Sequence, residues 1–364
     1  MVEYAKYELK NVCSRLSSGK SISSKMISEE GRYPVYGGNG LRGYTDHSNF
    51  SGDCAIIGRQ GAFCGNVRYF CGEAYMTEHA VIVCANNLNN THYLAYLLST
   101  MNLGRLSGQS AQPGLSVKTL GIQEIMLPSI EYQNKVVALL SSLDEKIAVN
   151  NNINDNLAEL LQTVYQERFG DVSAATEQGM LSDICSYSRD RVAVSELNAS
   201  TYFSTENMLP GKAGATEAAS LPTIPQTTAC HKGDTVISNI RPYFKKIVYC
   251  EDRCGCSTDV LCFTPVQPKY AAYLFSTLYA DKFFAFMVAG SKGTKMPRGD
   301  KQQIMAYPVA LPSDEELDEF NKLALPILAQ LHSNKAENKR LSATRDALLP
   351  KLMSGEIDVS GIQL

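Results

Sequence analysis

The chain has 364 residues, 44% of them hydrophobic, and a formal net charge of −3; this is the composition of a globular protein with room for two or three cores, not of a disordered or fibrous chain. No stretch approaches the run of about 18 apolar residues that a membrane span needs, and residues 1–10 mix Glu3, Lys6, Glu8 and Lys10 with apolar side chains in place of a signal core, so a cytoplasmic protein without a membrane partner is expected. Eleven cysteines, an odd number, then read as free thiols, and the slightly acidic balance excludes a uniformly basic nucleic-acid binder.

The first block, residues 1–128, reads as β-rich with short helices. It carries the glycine loop Gly37-Gly38-Asn39-Gly40 and the run Gly52-Asp53-Cys54-Ala55-Ile56-Ile57, a turn leading into a buried strand. The apolar spacing of Tyr93-Leu94-Ala95-Tyr96-Leu97-Leu98-Ser99-Thr100 predicts an amphipathic helix. Leu127-Pro128-Ser129 followed by Glu131 marks a helix N-terminus, with a serine able to cap and an acid in the first turn. That helix is expected over residues 129–170, ending at about Phe169-Gly170. Along it Val136, Leu140, Leu143, Ile147, Asn150, Asn154, Leu157, Leu161 and Val164 step by four and three, the spacing of a coiled-coil face.

The second block, residues 171–312, repeats the plan. Gly233-Asp234-Thr235-Val236-Ile237-Ser238 matches the first strand entry, and Tyr270-Ala271-Ala272-Tyr273-Leu274-Phe275-Ser276-Thr277 matches the first amphipathic helix. Leu311-Pro312-Ser313 with Glu315 and Glu316 opens a second long helix over residues 313–356, whose face is Phe320, Ala324, Ile327, Leu331, Asn334, Asn338, Leu341, Arg345 and Leu348. Pro326 falls inside this seam and is expected to kink or restart the helix. Asp171-Val172-Ser173 after the first helix is echoed by Asp358-Val359-Ser360 after the second, leaving residues 357–364 as a tail. Charge follows the repeat. Residues 1–128 hold eleven basic against nine acidic side chains and residues 176–312 fourteen against twelve, whereas residues 129–175 hold three against seven and residues 313–364 six against nine.

Asn150 and Asn154 therefore recur as Asn334 and Asn338 at the same seam positions. A long amphipathic helix cannot bury its stripe alone, and its own duplicate is the nearest partner. Facing asparagines penalise every register that leaves a buried amide unpaired. The expected fold is α+β: two globular domains in tandem repeat, separated by two long helices forming an antiparallel coiled coil with pseudo-twofold symmetry. Between the matched anchors the blocks scarcely resemble each other, which suggests related binding modules with different ligands.

These residues resemble the specificity subunit of type I restriction-modification enzymes. The likeness is carried by Tyr33-Pro34-Val35-Tyr36-Gly37-Gly38-Asn39-Gly40 through Gly43-Tyr44, by Gly108-Gln109-Ser110-Ala111-Gln112-Pro113 through Leu115-Ser116 with Leu127-Pro128 and Gln133, and above all by Arg345-Asp346-Ala347-Leu348-Leu349-Pro350-Lys351-Leu352-Met353-Ser354-Gly355-Glu356. The chain departs from the family pattern at residues 290–300, where Lys292, Lys295, Met296, Pro297 and Arg298 replace the Ala-Gln-Pro junction. The resemblance implies a non-catalytic subunit with two target recognition domains, 1–128 and 171–312, each reading one half of a bipartite asymmetric sequence in double-stranded DNA. It implies spacer helices over 129–170 and 313–356 that fix the gap, and docking of two methyltransferase copies and a restriction subunit. This chain would bind no cofactor of its own: S-adenosylmethionine would belong to the methyltransferase, ATP and Mg to the restriction subunit. A helix of about 40 residues is roughly 60 Å long, enough to set two domains one or more DNA turns apart.

The sequence holds no catalytic motif of its own. Gly19-Lys20-Ser21 lacks the upstream glycine of a phosphate loop, since that position is Ser14, and no Asn-Pro-Pro-aromatic or Asp-Pro-Pro-aromatic tetrapeptide of an amino-methyltransferase is present. Glu337-Asn338-Lys339 reads as a solvated stretch of helix. Cys230, His231, Cys250, Cys254 and Cys256 could supply four zinc ligands, but the spacing is not a common one, and the residues read as small buried thiols with no metal.

Reading DNA needs planar donors at groove edges and cations at phosphates. In the first block the candidates are Gly37, Gly38 and Asn39 with Arg42 and Tyr44, then Arg59 and Gln60, then Gln109 and Gln112; an ordinary hairpin turn and a solvated strand end remain alternatives for the first two groups. In the second they are Asn239, Arg241, Tyr243, Lys245 and Lys246 at the equivalent strand exit, and the basic run Lys292, Lys295, Arg298 and Lys301. A coiled-coil scaffold whose two domains bind protein or carbohydrate is the alternative function, which salt-dependent DNA binding would separate.

Overall fold

A computed structural model describes residues 2–107 and 114–362. The chain divides into two compact units, Met1–Ala148 with Asn338–Leu364, and Val149–Glu337. Helix α1 is Thr91–Thr100, α2 Val117–Gly121, α3 Ile130–Phe169, α4 Leu181–Ile184, α5 Ala271–Tyr279, α6 Asp281–Ala289, α7 Lys301–Met305 and α8 Asp314–Ser354. The two long helices, α3 and α8, each contribute one part to either unit. No helix among the described residues is long and apolar enough to cross a membrane.

The first unit holds strands β1 (Ala5–Glu8), β2 (Cys13–Ser18), β3 (Tyr33–Gly37), β4 (Gly40–Thr45), β5 (Phe50–Gly58), β6 (Val67–Met76), β7 (Ala80–Ala85) and β8 (Glu124–Leu127). Six of them form one sheet in the order β2-β7-β5-β6-β3-β4, antiparallel except for β3 beside β6, and β1 pairs with β8. The central strand β5 shows why its sequence is an unbroken apolar run. Ala55 and Ile57 pack with Leu94, Leu98, Val136, Leu140, Leu352 and Met353, while Cys54 and Ile56 face the other way onto Phe50, Met76 and Ile82. Both faces of the sheet are covered, so alternation of polar and apolar residues is lost.

The second unit holds β9 (Gln178–Met180), β10 (Cys185–Tyr187), β11 (Arg191–Ala193), β12 (Tyr202–Phe203), β13 (Gln226–Cys230), β14 (Thr235–Ser238), β15 (Ile247–Tyr249), β16 (Cys254–Cys256), β17 (Val260–Pro265) and β18 (Pro308–Ala310). Its main sheet runs β10-β17-β14-β15, a second runs β11-β13-β16-β12, and β9 pairs with β18. The first four strands of the other unit's sheet, β2-β7-β5-β6, have the same order and the same antiparallel pairing. The short β1–β8 and β9–β18 pairs also correspond, each placed just before a long helix. What differs is the addition: a β3–β4 hairpin on the edge of β6 in the first unit, a separate sheet in the second. The tandem repeat is thus a shared four-stranded scaffold with unlike extensions.

Both helix starts behave as the sequence predicts. Ser129 Oγ accepts from the Tyr132 N–H at 3.4 Å. Ser313 and Glu316 cap each other, Glu316 Oε2 accepting from the Ser313 N–H at 2.8 Å and Ser313 Oγ from the Glu316 N–H at 3.3 Å. After the helices, Asp171 Oδ1 accepts from the Ser173 N–H at 3.0 Å and Asp358 Oδ1 from the Ser360 N–H at 2.9 Å. Hydrogen bonds from the Ser173 and Ser360 side chains, with these backbone bonds, hold both carboxyls below the usual range. Gln133 is buried and donates to the Pro128 and Asn89 oxygens at 3.0 Å while accepting from the Asn90 N–H at 2.9 Å, so it ties the start of α3 to the cap of α1.

Several expectations are corrected. Pro326 neither breaks nor restarts α8, which is one helix over Asp314–Ser354. Proline costs one N–H, but Phe320, Ala324, Ile327 and Leu328 on both sides of it are held in the same core. Gly52 is not in a turn. It lies within β5 opposite Gly72, and both glycines have positive φ (117° and 134°), a conformation that disfavours any side chain there. The matched runs are also out of phase. Ile56 faces away from the helices, whereas its proposed counterpart Ile237 packs on the helix side with Leu261 and Phe263. A one-residue slip exchanges the faces of a strand. Likewise Tyr93, third residue of α1 and fully buried, corresponds to Tyr273 in α5 and not to Tyr270.

The pairing of the long helices is antiparallel in each unit taken separately. In the second, Asn150 Nδ2 donates to Glu337 Oε2 at 2.7 Å and Asn334 Nδ2 to Asn154 Oδ1 at 2.9 Å, so partners descend on α8 as they ascend on α3. Glu337 is therefore bound to the seam and not merely solvated. In the first unit Arg345, a seam position, pairs with Asp144 at 2.6 Å, and the Tyr96 hydroxyl donates to the same carboxylate at 2.5 Å. Asn150, Asn154 and Asn334 are buried, whereas Asn338 is partly exposed. Replacing one amide strands the other, and so Asn154→Leu should lower stability to urea by about 1–3 kcal/mol while Asn154→Leu with Asn334→Leu recovers at least half of that loss. Equal losses in the single and double variants would refute the pairing.

Candidate nucleic-acid interface

In the first unit, the glycine loop is the turn of the β3–β4 hairpin, with Gly37 opposite Gly40. The glycines are required by close approach. A Cβ on Gly38 would stand 2.9 Å from the His79 carbonyl and 3.4 Å from the Arg59 nitrogen, and one on Gly40, whose φ is 98°, would stand 2.7 Å from Arg68 Nη1. On Gly37 it would meet Arg42 Cδ at 2.8 Å. The turn thus sits among Arg42, Arg59 and Arg68. Asn39 and Arg42 are exposed and Tyr44 is half-buried, with its backbone bridged to Ser28.

Arg59 leaves β5 with Nη1 donating to Ser18 Oγ at 3.4 Å. Gln60 Oε1 is 3.0 Å from His79 Nδ1, whose other nitrogen is 3.4 Å from Glu78. The Arg59 carbonyl accepts from the Leu115 N–H at 2.8 Å, and Gln60 bridges to Gly114. Gln109 and Gln112 lie outside the described residues. Arg68 and His79 join this surface without having been singled out in the sequence. Arg68 is a bare arginine on a strand whose exposed side is defined only by its pairing with β5 and β3.

In the second unit the two candidate groups come together. The segment after β14 and residues 292–298 are joined by the Arg241 N–H donating to the Pro297 carbonyl at 2.8 Å, the Gly299 N–H donating to the Asn239 carbonyl at 3.3 Å and a bridge between Ile240 and Arg298. Lys292 and Arg298 exchange backbone hydrogen bonds of 2.9 Å around Gly293, whose φ is 102°. Arg241 and Lys245 both adopt left-handed backbone (φ 51°), bracketing the exposed ring pair Tyr243 and Phe244. Two buried polar atoms there, Asn239 Oδ1 and Arg241 Nε, have no hydrogen-bond partner among the described residues.

The basic run is less free than the sequence suggests. Lys292 pairs with Asp300 at 2.5 Å, Arg298 with Asp259 at 2.9 Å, and Lys245 shares Asp281 with Lys212 at 2.8 Å. The lysines hold the Asp300 and Asp281 carboxyls below their usual range. Lys246 turns inward to donate to the Thr205 carbonyl at 2.6 Å, and burial lowers its pKa. Lys301 lies over the Tyr187 ring. Lys295 has no ion pair among the described residues and is exposed.

The described architecture is that of a two-unit α+β protein in which a repeated sheet scaffold, closed by antiparallel helices, carries unlike polar loops. The sequence model described as "Type I restriction modification DNA specificity domain" matches residues 1–159. The chain is 40% identical over 134 residues to the type I restriction enzyme EcoprrI specificity subunit of Escherichia coli, a match spanning 36% of this chain and 33% of that protein. It is 23% identical over 300 residues to the type I restriction enzyme MjaIX specificity subunit of Methanocaldococcus jannaschii, spanning 74% of this chain and 69% of the relative. The crystal structure of the type I restriction-modification S subunit from M. genitalium superposes with a TM-score of 0.60 at 18% identity, covering 96% of both chains, and supports the fold. Residues 1–159 thus match a type I restriction modification DNA specificity domain, and the chain is similar to the specificity subunits of type I restriction-modification systems. The match spans about a third of the length of the Escherichia coli relative.

Gly38→Ala should displace the hairpin turn against the His79 carbonyl and cost about 1–3 kcal/mol in urea unfolding, whereas Gly361→Ala, with nothing within 4 Å, should be neutral. Equal stability of the two variants would remove the packing argument for the loop.

Proposed function

We propose that this chain is the sequence-reading subunit of a type I restriction-modification complex, with each unit reading one half of a bipartite, asymmetric DNA target. The observation that carries this reading is the contrast within the repeat: the scaffold strands β2-β7-β5-β6 and β10-β17-β14-β15 share one topology, while the polar loops they present differ. A common frame with unlike reading surfaces suits a target whose halves are unlike. In the first unit reading falls to the turn with Asn39, Arg42, Arg59 and Gln60, joined by Arg68. In the second it falls to Asn239, Arg241 and Tyr243, with Lys295 free for phosphate.

Methyl transfer and cleavage fall to partners. Two methyltransferase copies, which bind S-adenosylmethionine, would dock on the repeated scaffold, and a restriction subunit using ATP and Mg would complete the assembly. The antiparallel helices, roughly 60 Å long, would set the distance between half-sites, with the Asn154–Asn334 bond resisting a shift of register. The domain limits that fit this division are 1–128 and 171–312 for reading and 129–170 and 313–356 for spacing.

Co-purification with a methyltransferase, followed by mapping of modified bases in the host genome, tests the reading directly. Once the target is known, Arg241→Ala should weaken binding by about 1–3 kcal/mol, roughly tenfold to a hundredfold, with the loss confined to the second half-site. Undiminished binding and methylation would refute the role of Arg241, and salt-independent binding would refute DNA reading altogether.

A further inference from the structure

Five of the eleven cysteines gather in one place in the second unit. Cys230 ends β13, Cys250 follows β15, Cys254 and Cys256 bracket Gly255 in β16, and Cys262 lies in β17; all five are buried in one cluster with Met208, Val236 and Val260. The thiols are not equivalent. Cys256 Sγ reaches the Val260 carbonyl at 3.8 Å, and Cys262 Sγ donates to the buried Asp234 carboxylate at 3.3 Å. The remaining three, Cys230, Cys250 and Cys254, have Sγ atoms within 4.8 Å of one another. Cys230 and Cys254 are register partners across the β13–β16 pair, and Cys250 reaches them from the turn of residues 250–254.

We propose that Cys230, Cys250 and Cys254 hold a structural zinc ion, with Cys256 supplying the fourth ligand. Tetrahedral zinc–sulfur bonds of about 2.3 Å place sulfurs about 3.8 Å apart, so only a small contraction of the three thiols is needed. Cys256 is on the same side of β16 as Cys254, because Gly255 between them turns to the opposite side, where a Cβ would meet Leu197 Cδ1 at 2.6 Å. Binding would replace the thiol protons by zinc and release them to solvent, leaving thiolates bound to the ion. Softness of the donors selects zinc over magnesium or calcium. Mechanically, the ion would join β13 and β16 of the second sheet to the end of β15 in the first. That joint lies at the extension peculiar to this unit, for which a small local core supplies little else.

Full-length protein purified under reducing conditions without chelator should carry about one equivalent of zinc per chain. Exchange of cobalt(II) into the native protein should give thiolate charge-transfer absorption and the strong visible bands of a tetrahedral site. Cys250→Ala and Cys254→Ala should lower bound metal at least about tenfold, and Cys71→Ala, an exposed thiol of the other unit, should leave it unchanged. Wild-type protein that carries no zinc and takes up neither zinc nor cobalt(II) on reductive refolding would overturn the proposal, as would metal retained by Cys254→Ala or a disulfide among the three residues. The metal content of the wild-type chain decides the question even if a variant fails to fold.

Discussion

The constraint on which the structure depends is the burial of two long apolar stripes. Neither α3 nor α8 can be stable in water alone, and each unit solves the problem by using both. In one core Val136 and Leu140 of α3 meet Leu352 and Met353 of α8; in the other Leu161, Tyr165 and Phe169 meet Phe320, Ala324 and Ile327. Burying one such side chain is worth about 1.5–3 kcal/mol, so these contacts are a large part of a net stability of about 5–15 kcal/mol. The first unit is accordingly not encoded by a contiguous segment. It is closed only when the end of the chain, Asn338–Leu364, packs against the beginning.

That dependence explains what the sequence reveals easily. Heptad spacing and caps are local patterns, and Ser129, Ser313 and the ends at Phe169 and Ser354 follow from short-range chemistry alone. The duplicated Asp-Val-Ser turns are equally local. Pro326 is misread for the complementary reason: its local penalty is real, but apolar contacts on either side of it, made with residues far away in the chain, outweigh one lost hydrogen bond. The phase error between Ile56 and Ile237 has a similar origin. Both runs are buried on two faces, so neither sequence carries the polar alternation that would fix which residue points to the helices.

The candidate surface is legible as loops and not as chemistry. Gly37, Gly38 and Gly40 identify a turn, but the arginines that crowd it come from β4, the exit of β5 and β6, and Arg68 has no sequence signal of its own. In the second unit Lys245 and the dense run Lys292, Lys295 and Arg298 suggest a cationic face, yet Asp281, Asp300 and Asp259 neutralise most of it through pairs that only folding creates. Exposed pairs of this kind contribute little stability, about 0–1 kcal/mol each. Their effect is on electrostatics. They leave Arg241, with its buried unpartnered Nε, and Lys295 as the cations least committed to the protein itself.

Divergence between the units is located where the fold tolerates it. A sheet can be extended at an edge strand without disturbing the buried pairs at its centre. The first unit adds β3 and β4 beside β6, and the second builds a separate sheet whose strands β13 and β16 enclose the thiol cluster. The helix-facing side of each scaffold must keep its apolar residues because two helices close over it. The edge carries no such obligation, so new loops and new polar residues could accumulate there, and the far side needs only some apolar cover, which a cysteine-lined core supplies in the second unit. Conserving the seam and varying the edge are therefore consequences of one packing requirement, which separates the part of the chain that sets geometry from the part free to acquire a different ligand surface.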